Sequence, residues 1–395
     1  MDTLLLSISV LCLTTTGLIF LLKKFRQPYL IAYIIAGILL GPYVLKVFTE
    51  IHQIEVIGEM GILLLMFFLG MEINIPNHHS LILKPLIAQG IKVLLSLGFA
   101  FLIGHFIGLD FRSTVLVAVL FTFNSTAVVS EFLKKHNTLH TAFGVTILNI
   151  LIVQDLLLAP VLTLLKAWSG ETARLWNMLL PVLFSIAVFF LFKKIRNVQE
   201  IRMPQLFSGI ENDHDLQVFT GLLICLGFGM LAELIGLSSA LGSFVAGVIV
   251  GRLNMLNWLE HSLAPFKVFF ITLFFVSVGL RLDLDYVYQH YEIIVLGTLF
   301  VLISNSLMSA IVFRVMRYGW KDSWYGGALL SQTGEFGILA LAIAHKTDII
   351  PYDLYKAGLC ITCLSLLLST VWITVFKSMT DRKYSDRHNL HQESF

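Results

Sequence analysis

The sequence predicts an all-α membrane protein with about 13 transmembrane helices arranged as an inverted repeat. Three observations support this fold class: the composition, the regular recurrence of long apolar runs, and paired motifs in the two halves. The chain is 57% hydrophobic and 13% charged, with a mean hydropathy of +0.85. A soluble core of 395 residues cannot bury that much apolar surface, so soluble classes are excluded.

The apolar runs are long enough to cross ~30 Å of hydrocarbon. They lie at 4–22, 28–45, 54–71, 82–107, 113–131, 144–166, 177–192, 216–234, 236–251, 264–280, 291–314, 323–345 and 355–377. The N-terminus lacks a basic segment and a small-residue cleavage site, so the first run is expected to be a retained span.

The basic residues orient these spans. If the N-terminus lies outside, the cytoplasmic segments contain 19 Lys and Arg residues and the outer segments contain 7. This asymmetry satisfies the positive-inside rule and predicts a cytoplasmic C-terminus, and an error of one span would remove it. The same topology makes 193–215 a cytoplasmic linker and 379–395 a cytoplasmic tail.

Three motifs recur at an offset of roughly 207–210 residues. The pairs are Ala36–Gly41 with Ala246–Gly251, Phe67–Glu72 with Phe274–Gly279, and Asn124–Thr126 with Gln332–Gly334. Seven spans separate the members of each pair, and because seven is odd the copies enter the membrane from opposite sides. This predicts an inverted repeat of about 28–192 and 216–377, as in alternating-access transporters, with chance similarity of apolar runs as the alternative.

Spans five and twelve both contain polar residues at mid-depth, in Phe123–Thr126 and Ser331–Glu335. Unwound backbone is tolerated there only where protein or a water-filled cavity satisfies it. Two interrupted helices that cross would direct their dipole ends and open carbonyls at one site. The alternative is two continuous helices with polar packing contacts.

Asp155 lies in the apolar run Val145–Leu165, directly after Gln154. A carboxylate at membrane depth costs about 2.5–3.5 kcal/mol on insertion scales, so it usually has a function in a cavity. The alternative is an acid paired for structure alone. The position equivalent to Asp155 in the second half is Cys363, so the predicted symmetry fails at the acid.

A set of motifs between about residues 28 and 340 resembles the membrane part of the cation:proton antiporter-2 superfamily, especially Kef-type potassium efflux transporters. The motifs are Tyr33–Pro42, Gly58–Gly61, Phe68–Glu72, Asn124–Ala127, Gln154-Asp155 with Pro160, Gly236–Gly247, Pro265–Lys267, Leu273–Gly279 and Ser331–Phe336.

The resemblance implies a sodium/proton antiporter fold with a dimerisation domain and a moving core domain, usually in a homodimer. The core would contain spans four to six and eleven to thirteen, with crossed breaks. By motif match, Asp155 is the ion-binding acid and Gln154 its neighbour. We therefore expect exchange of K⁺ or Na⁺ for H⁺, in a bacterial inner membrane, with no enzymatic activity, cofactor or nucleic-acid partner.

The chain departs from the family pattern in two ways. Kef-type proteins continue into a cytoplasmic nucleotide-binding regulatory domain, which is not expected here. Relatives also place a basic residue in span eleven opposite the acid, whereas this chain has Ile303-Ser-Asn305. Lys92 in span four is the candidate counter-charge to Asp155, and a lysine that snorkels to the interface is the alternative.

Alkali cations prefer oxygen ligands. Asp155 is predicted to supply a charged oxygen, with Asn124, Ser125 and Thr126 adding neutral ones, while Gln332, Thr333 and Glu335 support the crossed helices. A cation and a proton would then compete for one carboxylate, which predicts electroneutral one-for-one exchange. A cation channel and a sodium-coupled solute symporter of related fold are the competing functions.

Overall fold

The computed structural model describes residues 3–24, 29–48, 51–72, 80–167, 213–234, 239–251, 257–346 and 348–392. All regular secondary structure within these ranges is helical. The predicted span 177–192 and most of the predicted linker 193–215 lie outside them.

The helices in the described ranges coincide with the other predicted spans. They are α1 (Thr3–Lys24), α2 (Tyr29–Leu40), α3 (Ile51–Glu72), α4 (Ser80–Ile107), α5 (Phe111–Thr122), α6 (Thr126–Lys135), α7 (Ala142–Ala167), α8 (His214–Leu234), α9 (Ser239–Val250), α10 (Asn257–Leu280), α11 (Leu284–Gln289), α12 (Tyr291–Val315), α13 (Trp320–Leu329), α14 (Glu335–Lys346) and α15 (Tyr352–Gln392). The short helix α11 was not predicted, and α15 continues through most of the polar tail.

Seven stretches of the described residues are long and apolar enough to cross a membrane. They are Leu5–Lys24, Lys84–Ile107, Phe111–Lys135, His214–Leu234, Ser262–Leu280, Tyr291–Val315 and Tyr352–Met379. Large apolar side chains are also exposed along these helices, for example Phe219 and Leu223 on α8. Such exposure is the expected surface of a helix that faces lipid.

The chain divides into two compact units. The first consists of residues 1–18, 33–81 and 155–281. In it, α3 packs against α9 and α10, and α8 packs against the same two helices. Its core includes the fully buried residues Leu64, Phe67, Phe68, Cys225, Ala246, Leu259 and Leu263.

Two pairs of glycines allow close helix packing in this first unit. A Cβ on Gly37 would collide with the Val276 carbonyl of α10. A Cβ on Gly279 would in turn collide with the α2 backbone about one turn before Gly37. The second pair, Gly70 and Gly247, joins α3 to α9 in the same way. In each pair, a glycine of one repeated motif in the first half of the chain contacts a glycine of the other motif's copy in the second half. Small residues allow the two backbones to approach this closely.

The second unit consists of residues 19–32, 82–154 and 282–395. Here α12 packs against α13 and α15, and α15 also packs against α14. The helix α14 contacts α5, and α15 contacts α6. This unit therefore contains spans four and five, spans eleven to thirteen, and the first part of span six.

Candidate functional site

The helix in span five is interrupted near its middle. The helix α5 ends at Thr122, Phe123 and Ser125 have extended backbone, and α6 begins at Thr126. The Ser125 side chain caps α6 by accepting a hydrogen bond from the Val128 N–H. Serine is a preferred N-cap because its oxygen satisfies one of the free amides at a helix start. The interruption is thus encoded locally.

Span twelve is interrupted in the same way, and the two breaks contact each other. The helix α13 ends at Leu329 and α14 begins at Glu335. Between them, the Gly334 N–H donates to the Phe123 carbonyl at 2.9 Å. A Cβ on Gly334 would lie only 2.6 Å from the carbonyl carbon of Asn124, so a glycine is required for this approach. The prediction of two interrupted helices in contact is confirmed by this geometry.

Asn124 joins the two breaks through its side chain. Its Nδ2 donates to the Gln332 carbonyl at 2.7 Å and to the Leu330 carbonyl at 3.1 Å. Its Oδ1 accepts hydrogen bonds from Lys92 and Gln154. An amide side chain has two donors and two acceptor lone pairs, so the hydrogen-bonding capacity of this buried residue is used within the protein.

Gln154 fixes α7 to the first break. Its Oε1 accepts from the Asn124 backbone N–H at 2.9 Å, and its Nε2 donates to Asn124 Oδ1 and to Gln89 Oε1. Gln154 is 1% exposed. Because Asp155 is the next residue on the same helix, these bonds also fix the backbone that presents the acid.

Lys92 is fully buried, so the snorkelling alternative is wrong. Its Nζ donates to Asn124 Oδ1 at 2.6 Å and to Ser309 Oγ at 2.9 Å. Ser309 Oγ in turn lies 3.4 Å from the Leu330 carbonyl at the end of α13. The ammonium group therefore lies close to a helix C-terminus, where a positive charge is favourable.

Of the remaining predicted site residues, Thr126, Thr333 and Glu335 lie at these breaks. Asp155 is buried, with 8% of its surface exposed. Thr126 is 1% exposed, and its Oγ1 has no hydrogen-bond partner among the described residues. The Thr333 N–H donates to Ser365 Oγ at 3.3 Å. Glu335 begins α14, but its side chain lies outside the described part of the chain.

Sequence reasoning missed three residues of this network: Gln89, Ser309 and Ser365. Gln89 lies three residues before Lys92, so the two share a face of α4. That spacing of polar residues in an apolar span is a signal that predicts a shared buried face. Ser309 and Ser365 gave no such signal, because an isolated serine in a membrane helix often bonds its own backbone.

Known proteins share this fold and sequence pattern. The chain is 26% identical to the iron transporter MagA of Paramagnetospirillum magneticum, over 91% of this chain and 82% of that protein. It is 25% identical to K(+) efflux antiporter 5 of Arabidopsis thaliana, over 89% of this chain and 63% of the relative. It is also 25% identical to the glutathione-regulated potassium-efflux system protein of Haemophilus influenzae, over 96% of this chain and 62% of that protein. The chain thus spans about three fifths of the length of these two potassium-efflux relatives.

A solved structure has the same fold. The sodium proton antiporter MjNhaP1 from Methanocaldococcus jannaschii superposes with a TM-score of 0.69, covering 96% of this chain and 98% of that one at 16% identity. The family described as "Sodium/hydrogen exchanger, transmembrane" matches residues 9–377. The chain is therefore a multi-pass membrane protein that belongs to the transmembrane sodium/hydrogen exchanger family.

Proposed function

We propose that this protein exchanges a monovalent cation, K⁺ or Na⁺, for H⁺ across the membrane by alternating access. The observation that supports this most directly is the contact between the two interrupted helices, at Gly334 and Phe123. Gln154 connects that contact to the helix that contains Asp155. A buried acid on a helix whose preceding residue bonds a broken helix is consistent with an intramembrane ion site.

Asp155 is the group that cation and proton share in this proposal. The bound cation or proton neutralises the carboxylate while it is carried across the membrane, so exchange is one-for-one and electrically silent. Thr126 Oγ1 is the neutral ligand that the structure supports best, because its buried oxygen has no partner among the described residues. Asn124 and Gln154 are better suited to hold the backbone, since their polar atoms bond each other and their neighbours.

Alternating access requires one part of the protein to move. We propose that the second compact unit is the moving core, because it contains both interrupted helices. The glycine-mediated pairs of the first unit join Gly37 to Gly279 and Gly70 to Gly247. This reciprocal packing supports an inverted repeat of about 28–192 and 216–377. The distribution of basic residues supports an outer N-terminus and a cytoplasmic C-terminus.

The K⁺ efflux antiporters and the sodium proton antiporter named above support cation:proton exchange as the chemistry. By resemblance we also propose a homodimer, whose mass can be measured in detergent by light scattering.

The proposal is tested by monitoring the internal pH of proteoliposomes with a dye. An outward cation gradient of K⁺, Na⁺ or Li⁺ is imposed in turn, with choline as the control cation. We expect internal acidification with one or two of these cations, saturation at high concentration, and no dependence on an imposed voltage. A flux that does not saturate would indicate a channel, and a cation flux that requires an added solute would indicate a symporter.

A further inference from the structure

The helices α4 and α12 pack side by side in opposite directions. Two contacts fix their alignment: the Lys92 Nζ hydrogen bond to Ser309 Oγ at 2.9 Å, and the stacking of Phe99 on Phe300 with ring centroids 5.5 Å apart. As the chain advances from residue 92 to residue 99 on α4, its partner residues on α12 run backwards from 309 to 300.

Ser96 and Asn305 lie between these two contacts. Ser96 is four residues after Lys92, and Asn305 is four residues before Ser309. Residues four apart share a helix face and are displaced by roughly 6 Å along the axis. Because the helices are antiparallel, both displacements have the same direction, so Ser96 and Asn305 oppose each other at one level of the interface.

Both side chains are fully buried, with no surface exposed. Within the described residues, neither Ser96 Oγ nor the Nδ2 and Oδ1 atoms of Asn305 have a hydrogen-bond partner. Lys92 has three N–H donors, two of which are directed to Asn124 and Ser309. Buried polar groups without a protein partner are usually satisfied by ordered water.

We propose that Lys92, Ser96 and Asn305 form a buried site for one water molecule between α4 and α12. The donors and acceptors match: water accepts from Lys92 Nζ and from Asn305 Nδ2, and donates to Ser96 Oγ and Asn305 Oδ1. An alkali cation does not suit this site, because the Lys92 ammonium group repels it. Phe99 lies about one turn beyond Ser96 on α4, and its ring also contacts Phe121 at 5.4 Å.

The proposal is independent of the transported ion and is tested by protein stability. In the purified protein, Asn305→Leu and Ser96→Ala should each lower the melting temperature by a few degrees, because each removes bonds to the same water. The melting temperature of the double variant should be only slightly below that of the less stable single variant, since the shared water is lost only once. Ser369 is the matched control, because it is fully buried but donates to the Leu366 carbonyl. The losses of Ser369→Ala and Asn305→Leu should simply add.

Three results would overturn the proposal. A higher melting temperature for Asn305→Leu would mean that the amide is dry and unsatisfied, since an apolar isostere then relieves its cost. Strictly additive losses of melting temperature for Ser96→Ala and Asn305→Leu would mean that the two residues do not bond the same water molecule. A high-resolution map of the unmodified protein gives a direct check, with solvent density expected within hydrogen-bond distance of Lys92 Nζ and Asn305. A map without such density would also contradict the proposal.

Discussion

The Lys92 ammonium group lies 2.6 Å from the side-chain oxygen of Asn124, the residue that joins the two interrupted helices. This contact places a buried positive charge directly on the helix crossing. Through Ser309, the same charge lies near the Leu330 carbonyl at the end of α13. Lys92 thus compensates the negative end of a broken helix, in addition to any effect on Asp155.

Replacement of this lysine should disturb the crossing. Lys92→Met keeps most of the side-chain volume but removes two charge-assisted hydrogen bonds, each worth about 1.5–3 kcal/mol. We expect a clear fall in the melting temperature and an exchange rate at least about tenfold lower, which corresponds to about 1.4 kcal/mol. Lys84→Met is the matched control, because Lys84 lies exposed on the same helix. Equal behaviour of the two variants would contradict this role of Lys92.

The contact between the two breaks predicts that Gly334 does not tolerate a side chain. In Gly334→Ala the added Cβ would lie 2.6 Å from the Asn124 carbonyl carbon and 2.8 Å from the Ser125 nitrogen. The breaks must then separate, so exchange should be lost and the melting temperature lowered. Gly98→Ala is the control, since a Cβ there has no neighbour within 4 Å. It should be neutral or slightly stabilising, because alanine favours a helix by up to about 1 kcal/mol. A fully active Gly334→Ala protein would disprove the crossing.

The glycine pairs of the first unit make a separate prediction. Gly279→Ala and Gly247→Ala should destabilise the purified protein to a similar extent, because each added Cβ collides with a backbone carbonyl, of Ile34 and Phe67 respectively. Gly227→Ala, which has open space around it, should leave the melting temperature unchanged or raise it slightly. If only one of the two pairs proved sensitive, the reciprocal packing would not support the inverted repeat.

Asp110 lies outside the membrane spans, and we expect it to make the stability of the protein depend on pH. It caps α5 and accepts hydrogen bonds from the Ser113 and Arg112 N–H groups. Hydrogen bonding with Ser113, to side chain and backbone, lowers the pKa of the Asp110 carboxyl despite partial desolvation. A lowered pKa in the folded state means that the charged carboxylate stabilises the protein above the unfolded pKa and loses this effect as pH falls through the folded pKa.

The prediction for Asp110 is tested with two variants. Asp110→Asn keeps a capping side chain but removes the charge, so its deficit should be present at neutral pH and disappear in acid. Asp110→Ala removes the cap as well, which should cost about 1 kcal/mol at neutral pH. Melting temperatures measured from neutral to acidic pH distinguish the two effects. A constant deficit for Asp110→Asn at every pH would contradict the role of the charge.

Much of this architecture is encoded in local sequence. The two breaks could be predicted because Phe123–Thr126 and Ser331–Glu335 place several polar residues together inside apolar spans. Such a cluster conflicts with lipid burial and so indicates backbone that is satisfied by protein. Asp155 could be singled out for the same reason.

The hydrogen-bond partners could not be predicted, because they depend on how distant helices meet. The sequence predicts Asn124 as a neutral cation ligand, and the structure adds that its side chain bonds four groups from three other segments of the chain. The sequence makes Lys92 a candidate counter-charge to Asp155, and the structure shows its bonds to Asn124 and Ser309. The short helix α11 was missed because one and a half turns leave too little periodicity to detect.

Asp155→Asn in proteoliposomes tests the central claim most directly. Asparagine has nearly the same shape but cannot alternate between a charged and a protonated form. The carboxylate for which the cation and the proton compete would therefore be absent. We expect a folded protein, with a melting temperature near that of the unmodified chain, that shows no cation-dependent proton flux. Exchange at the normal rate in the Asp155→Asn protein would show that another group carries the proton and the cation.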